Sequence, residues 1–179
     1  MYFNDEPTRY SRPIILLHWL TLLLLIGVYA FIEGREFFPK GTEMRELMKT
    51  MHYMLGLTVL MAVMLRVLFR LRSRSPRIDP PPGWLSQQLA AFMHLALYLL
   101  MIGMPIAGWL MLSAAGKPIP FYGLALPALI DENKALADSI KSLHKTAGNV
   151  GYLLIAAHAV AGLYHHYIKR DNTLKRMLP

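Results

Sequence analysis

The sequence of 179 residues contains no cysteine. This absence excludes disulfides, thiolate metal sites, iron–sulfur clusters and a covalently attached c-type haem, which needs a C-x-x-C-H motif. Acidic residues are also scarce, with 11 Asp and Glu against 19 Lys and Arg and a net charge of +8. A basic chain can bind nucleic acid, but 55% hydrophobic residues is high for a soluble domain. Basic residues gather at the ends of membrane spans, so we expect a membrane protein and no nucleic-acid partner.

Four long apolar runs are the main positive feature of the sequence. A span needs about 20 residues, and the second run reaches that length if Lys49 and Arg66 snorkel at its ends. The runs predict four spans at about 13–33, 50–70, 88–113 and 143–168. We find no repeat and no soluble domain, so residues 1–179 are predicted to form one domain. The predicted fold is all-α, an integral membrane four-helix bundle in the lipid bilayer.

The charge distribution predicts how this bundle is oriented. Four spans place both termini on the same side as the second connection. That side carries eleven cations and four anions, including Asp5 and Glu6, whereas the opposite side carries eight cations and seven anions. The positive-inside rule therefore predicts that both termini are cytoplasmic.

The last outer connection, residues 116–143, is the longest. Its prolines at 118, 120 and 127 predict an ordered cap without one long helix. Residues 131–142 are predicted to form a short amphipathic helix that leads into the fourth span.

Paired histidines are the most informative feature of the spans. His144 and His158 lie fourteen residues apart, close to four helical turns, so they share a helix face about 21 Å apart along the axis. His52 begins the second span at the outer level of His144, and His18 lies near the inner level of His158. Intramembrane histidines are costly and usually functional. Two levels of paired imidazoles are what two stacked b-type haems require, whereas zinc needs three or four ligands at one point.

Three further residues have more than one interpretation. His94 lies at a depth similar to that of His18, so depth alone does not choose between them as partner of His158, and His94 is also a candidate quinone contact. His165 lies seven residues after His158 on the same face. It is either an interfacial residue or a contact to a haem propionate or a quinone. Gly151 lies midway between the two histidines of the fourth span. It either leaves space for a haem macrocycle or allows another helix to pack closely.

The sequence resembles the bacterial cytochrome b561 family from residue 10 to residue 179. The resemblance is carried by Leu17-His18-Trp19, by Met51-His52, and by the fourth span with its closing run H-H-Y-I-K-R-D-N-T-L. It is closest to members described as superoxide oxidases. It implies a multi-pass protein of the bacterial inner membrane with two non-covalent haem b groups and ubiquinone as partner. The family's ligand pattern falls on His18, His52, His144 and His158, which argues against ligation by His94.

Coordination chemistry and the resemblance together predict oxidation of periplasmic superoxide to oxygen, with the electrons passed to ubiquinone. Arg45 and Lys49 lie seven and three residues before His52, and Lys141 lies three residues before His144. We expect these three cations to draw superoxide, a small anion, to the outer level. The alternative is that they pair with haem propionates, anchor the helix ends or pair with Glu46 and Asp138.

Two other functions are compatible with the sequence. A di-haem bundle can act as a relay subunit between quinone and a partner dehydrogenase or hydrogenase. A non-redox membrane anchor is the second alternative.

Overall fold

A computed structural model describes residues 7–179, so Asp5 and Glu6 of the charge count lie outside the described residues. Within this range, four helices are long and apolar enough to cross a membrane. They are α1 (Arg12–Gly34), α2 (Glu43–Arg72), α3 (Trp84–Ala114) and α4 (Lys134–Tyr164). The prediction of a mostly helical, four-span bundle is therefore confirmed.

Local sequence determines where several of these helices begin. Pro13 occupies the first turn of α1, where its missing N–H needs no partner. The Thr42 hydroxyl accepts from the Arg45 amide at the start of α2. The Asn133 side-chain Oδ1 accepts from the Leu136 amide, 3.0 Å away, at the start of α4. Because lipid offers no hydrogen bonds to the backbone, a helix is one of the few structures that can cross it.

Helices adjacent in sequence pack against each other in the order α1, α2, α3, α4. The central contact joins Val59 and Val63 of α2 to Leu97 and Met101 of α3, all of them buried. Many large apolar side chains point outward instead, among them Leu153 with 72% of its surface exposed. Such outward-facing apolar residues fit a bundle surrounded by lipid.

The first described residues and the C-terminal tail lie at one end of the bundle, which we call the terminal end. The Tyr10 amide donates to the Arg176 carbonyl at 3.2 Å. Asn172 exchanges two hydrogen bonds with Asp79 of the α2–α3 connection, at 3.0 and 3.1 Å. The C-terminal tail thus joins the first helix and the second connection. That the terminal end faces the cytoplasm stays a prediction.

The opposite end, which we call the hairpin end, carries a small antiparallel hairpin. Strands β1 (Ile119–Phe121) and β2 (Leu124–Leu126) pair in it. Tyr122 and Gly123 both have positive φ at its tip, as tight hairpin turns require. The Tyr122 hydroxyl lies 3.1 Å from the Thr58 hydroxyl, so the hairpin packs against α2. This hairpin is the ordered cap predicted from the prolines.

The predicted short helix over 131–142 is not separate. It forms the first turns of α4, which runs without interruption from Lys134 to Tyr164. The sequence between this segment and the fourth span holds no proline, so nothing ends the helix there. As a result, α4 extends about 15 Å beyond the level of His144.

Candidate functional site

The hairpin end contains the first histidine pair. The ring centroids of His52 on α2 and His144 on α4 lie 6.3 Å apart. The His52 Nδ1 lies 2.9 Å from the Val28 carbonyl oxygen, which only accepts, so Nδ1 donates and Nε2 keeps a lone pair for a metal. Gly108 of α3 passes close by, since a Cβ there would lie 3.5 Å from His144 Cε1. All four helices therefore contribute to the surroundings of this pair.

Three imidazoles lie close together in the terminal half of the bundle. The ring centroid of His158 lies 6.2 Å from that of His18 and 5.6 Å from that of His94. The structure therefore brings together the pair predicted from depth, and it places His94 beside that pair.

The spacing within each pair can be compared with metal ligation. Two metal–nitrogen bonds of about 2.0 Å, plus roughly 1.2 Å from each nitrogen to its ring centre, put two opposed imidazole centroids about 6.4 Å apart. The pairs His52–His144 and His18–His158 match this value, whereas His94–His158 is shorter. Within residues 7–179, no three His, Cys, Asp or Glu side chains converge on one point to hold a metal ion. Pairs of axial ligands fit a haem, whose macrocycle supplies the remaining nitrogens.

A cavity of about 580 Å³ lies beside His52 and His144, within the usual size range of ligand pockets. Its walls are largely apolar side chains from all four helices. Five cations also line it, and they are Arg35, Lys49, Lys117, Lys141 and Lys145. Three anions lie among them, namely Glu33, Glu36 and Asp138. We call these five cations the cationic rim.

Lys49 and Lys141, both expected at the entrance, belong to this rim. Lys49 Nζ lies 2.6 Å from Glu46 Oε1 one turn away, so a neighbouring anion offsets part of its charge. Lys141 forms no ion pair with any residue that the structure describes. Lys117 and Lys145 were not predicted. Lys117 comes from the connection after α3. Lys145 follows His144 directly, and adjacent residues of a helix point to different faces, so it was not expected beside the histidine pair.

Arg45 does not line the cavity, in contrast to the sequence prediction. Its guanidinium is buried, donates to the Arg35 and Phe38 carbonyl oxygens at 2.8 Å each, and pairs with both carboxylate oxygens of Glu36. The physical reason is that the carbonyls at the end of a helix lack intrahelical partners. Arg45 satisfies those carbonyls after α1 and thereby fixes the α1–α2 connection.

Gly151 is buried where α4 meets two other helices. A Cβ at this position would collide with the Tyr29 hydroxyl and lie 3.1 Å from Leu100 Cδ2. The Tyr29 hydroxyl donates to the Gly148 carbonyl at 3.0 Å, and its ring lies 4.2 Å from that of Tyr152. Tyr29 and Leu100 fill the space beside Gly151, so the structure favours the close-packing interpretation over macrocycle clearance.

His165 begins a π-helical turn, His165–Lys169, at the terminal end. Arg170 then adopts a left-handed conformation, and the chain returns so that His165 Nδ1 lies 2.5 Å from Asp171 Oδ2. The Thr173 amide donates to the other oxygen of this buried carboxylate at 2.8 Å. Burial raises the pKa of Asp171, but the hydrogen bonds from His165 and Thr173 outweigh burial and hold its pKa below the ordinary value. Asp171 was not predicted as a functional residue, although it belongs to the closing run of residues that carries the family resemblance.

Comparison with known proteins agrees with this arrangement. The family described as prokaryotic cytochrome b561 matches residues 9–179. "Cytochrome b561 homolog 1" of Escherichia coli (strain K12) is 40% identical over 171 residues, covering 96% of this chain and 97% of the relative. "Probable superoxide oxidase CybB" of Yersinia pestis is 39% identical over 171 residues, 96% of each chain.

A third relative, "Cytochrome b561 homolog 2" of Escherichia coli (strain K12), is 34% identical over 194 residues, covering 99% of this chain and 95% of the relative. The matches span nearly the whole chain, and four apolar helices and paired histidines accompany them. This chain therefore belongs to the prokaryotic cytochrome b561 family, membrane electron-transfer proteins for which haem b is the implied cofactor.

Proposed function

We propose that this chain oxidises superoxide at its hairpin end and passes the electrons to ubiquinone at its terminal end. The observation that carries the proposal is the cationic rim beside the His52–His144 pair. A cation-lined cavity next to a redox centre suits a small anionic electron donor. One relative of similar length is named a probable superoxide oxidase.

We assign His52 and His144 as the residues that would hold one haem b, and His18 and His158 as those that would hold a second. The centroid spacings support this assignment. His94 is left out because its spacing to His158 is too short for opposed ligands on one metal. When bound, the two haems supply reversible one-electron transfer between the two ends of the bundle.

The rim supplies attraction for superoxide. Lys117, Lys141 and Lys145 have no ion-pair partner among residues 7–179. The carboxylate of Glu36, by contrast, is held by Arg45 and Arg35. The rim therefore keeps a net positive field, and such fields raise the association rate of an anion by about 10- to 1000-fold.

The terminal end suits ubiquinone. Two superoxide anions lose one electron each and become two oxygen molecules, and ubiquinone gains two electrons and two protons to become ubiquinol. His165 is the proposed quinone contact, and its hydrogen bond to Asp171 fixes the orientation of its ring. The charge balance of the sequence predicts that this end faces the cytoplasm, which would supply the protons. The location is then the bacterial inner membrane, with superoxide arriving from the periplasm.

The purified, haem-loaded protein tests this function directly. Superoxide from an enzymatic generator should reduce the haems, and added superoxide dismutase should abolish the reduction. Added ubiquinone should then reoxidise the haems. Haems that ubiquinol reduces but superoxide never does would refute the proposal and favour a relay subunit serving a partner oxidoreductase.

A further inference from the structure

Arg66 is an arginine inside a membrane-spanning helix. The sequence suggested that it snorkels at the end of the second span, but α2 continues six residues beyond it, to Arg72. Arg66 lies fourteen residues after His52, the same interval that separates His144 from His158 on α4. It therefore shares the helix face of His52 and lies about 21 Å nearer the terminal end.

The surroundings of Arg66 place it at the terminal-end histidines. Tyr98, against whose ring Arg66 lies, comes one helical turn after His94 on α3. The guanidinium carbon of Arg66 lies 6.0 Å from the centre of the Tyr98 ring. The Nε atom is buried and has no hydrogen-bond partner in the described part of the chain. No carboxylate of residues 7–179 forms an ion pair with Arg66.

An unpaired cation at this depth is unfavourable. Charged side chains within membrane spans almost always pair with another group, and Arg66 is only partly exposed. Neutral imidazoles and a phenol ring carry no negative charge that could compensate it. The guanidinium is a planar fork of donors that matches a carboxylate. No described residue supplies such an anionic oxygen, so a bound group is the candidate source.

We propose that Arg66 binds a carboxylate of the haem held by His18 and His158. Haem b carries two propionate carboxylates, which makes it the nearest source of such an anion at this level. The inference rests on the proposed function, because it requires a haem at the terminal end. Two other sources of an anionic oxygen are a quinone headgroup and a lipid phosphate, and the experiment below separates them from the haem.

The first measurement is the affinity of each haem site for native haem b in Arg66→Gln. Charge-assisted hydrogen bonds are strong, so the terminal-end site should lose about tenfold to a hundredfold in affinity. The hairpin-end site should be unchanged and reports that the variant is folded. Arg66→Lys should retain part of the affinity because it keeps the charge but loses the fork. The matched control Arg72→Gln removes the same charge from the exposed end of α2 and should change neither site.

The second measurement uses haem whose two propionates are converted to methyl esters. The wild-type terminal-end site should bind this ester about tenfold or more weakly than native haem, and Arg66→Gln should not weaken ester binding further. If Arg66→Gln loses the same factor of affinity for native haem and for the ester, relative to wild type, the anion belongs to a quinone or a lipid. Equal affinity of wild type and Arg66→Gln for native haem would also overturn the inference. If Arg66→Gln does not accumulate, the wild-type protein tests the inference. A preference for native haem over the ester at the terminal-end site would support it, and equal affinity for both would overturn it.

A potentiometric titration gives a third, independent readout. Removal of a cation near one haem should favour its oxidised form, so the reduced-to-oxidised ratio of that haem should fall about tenfold at fixed potential. For a one-electron couple this corresponds to a downward shift of about 59 mV. Two unshifted waves would overturn the inference and leave the proposed function intact, whereas a chain that binds no haem at the terminal end would refute the proposed function itself.

Discussion

Reversal of two charges in the cationic rim should slow the reduction of the haems by superoxide. Lys49 and Lys141 both line the cavity, so Lys49→Glu with Lys141→Glu changes the local charge by four units. At about 10 Å from superoxide in water, each unit of charge changes the interaction energy by about 0.4 kcal/mol. Four units therefore change it by about 1.7 kcal/mol. With screening lengths of about 30 Å at 0.01 M salt and 8 Å at 0.15 M, the expected slowing is about sevenfold and about twofold.

The assay is stopped-flow reduction by superoxide over this range of salt, with the haem content of each variant measured first. Reduction by ubiquinol should stay unchanged, because ubiquinol is uncharged and its proposed site is at the other end of the bundle. Lys134→Gln is the matched control, since it removes a cation from α4 that does not line the cavity. Lys141→Gln should slow the reaction more than Lys49→Gln, because Glu46 already offsets the charge of Lys49. An unchanged superoxide rate at 0.01 M salt, in a double variant that holds both haems, would refute this reasoning.

Three further predictions address the cofactor, the tail and the packing. A pyridine haemochrome assay should find about two haem b per chain, extractable with acid acetone because no cysteine tethers them. His18→Ala should remove one haem and His94→Ala none. The reverse result would show that the terminal-end assignment is wrong. The lowered pKa of Asp171 means that its ionised form stabilises the fold above the ordinary pKa of Asp, and that this stabilisation is lost as the pH falls through the lowered pKa. Asp171→Asn should therefore lower the Tm at pH 7 by more than it does near pH 2, and an equal loss at both would contradict the ion-pair account. Gly151→Ala should destabilise the fold by about 1–3 kcal/mol through its clash with Tyr29, and Tyr29→Phe should recover part of that loss in a denaturation experiment; no recovery would show that the hydroxyl is not the obstacle.

The helices and the histidine pairing were accessible from sequence because both depend on helical period and on apolar length. The fourteen-residue interval between His144 and His158 places them on one face of any regular helix. His52 and His18 reach matching depths once four spans are assumed. The structure brings these same residues together, which shows how far periodicity alone predicts the arrangement of a membrane bundle.

Other features depend on contacts that no period encodes. Arg45 has the expected spacing from His52, but its long side chain turns back to the carbonyls that end α1. Lys117 reaches the cavity from a different element, and the strands of the hairpin are too short to give a pattern. Arg66 carried the same fourteen-residue interval as the histidines, yet it resembled the end of a span until the length of α2 was known.

The central claim is that electrons from superoxide reach ubiquinone through this chain. The most direct measurement supplies superoxide to the hairpin side of vesicles that contain the haem-loaded protein and ubiquinone, and then counts the oxygen and ubiquinol formed. The account predicts two oxygen molecules for each ubiquinol, no ubiquinol when superoxide dismutase is present, and a lower rate in the rim double variant. Ubiquinol that forms equally well in vesicles without the protein, or haems that superoxide does not reduce, would contradict it.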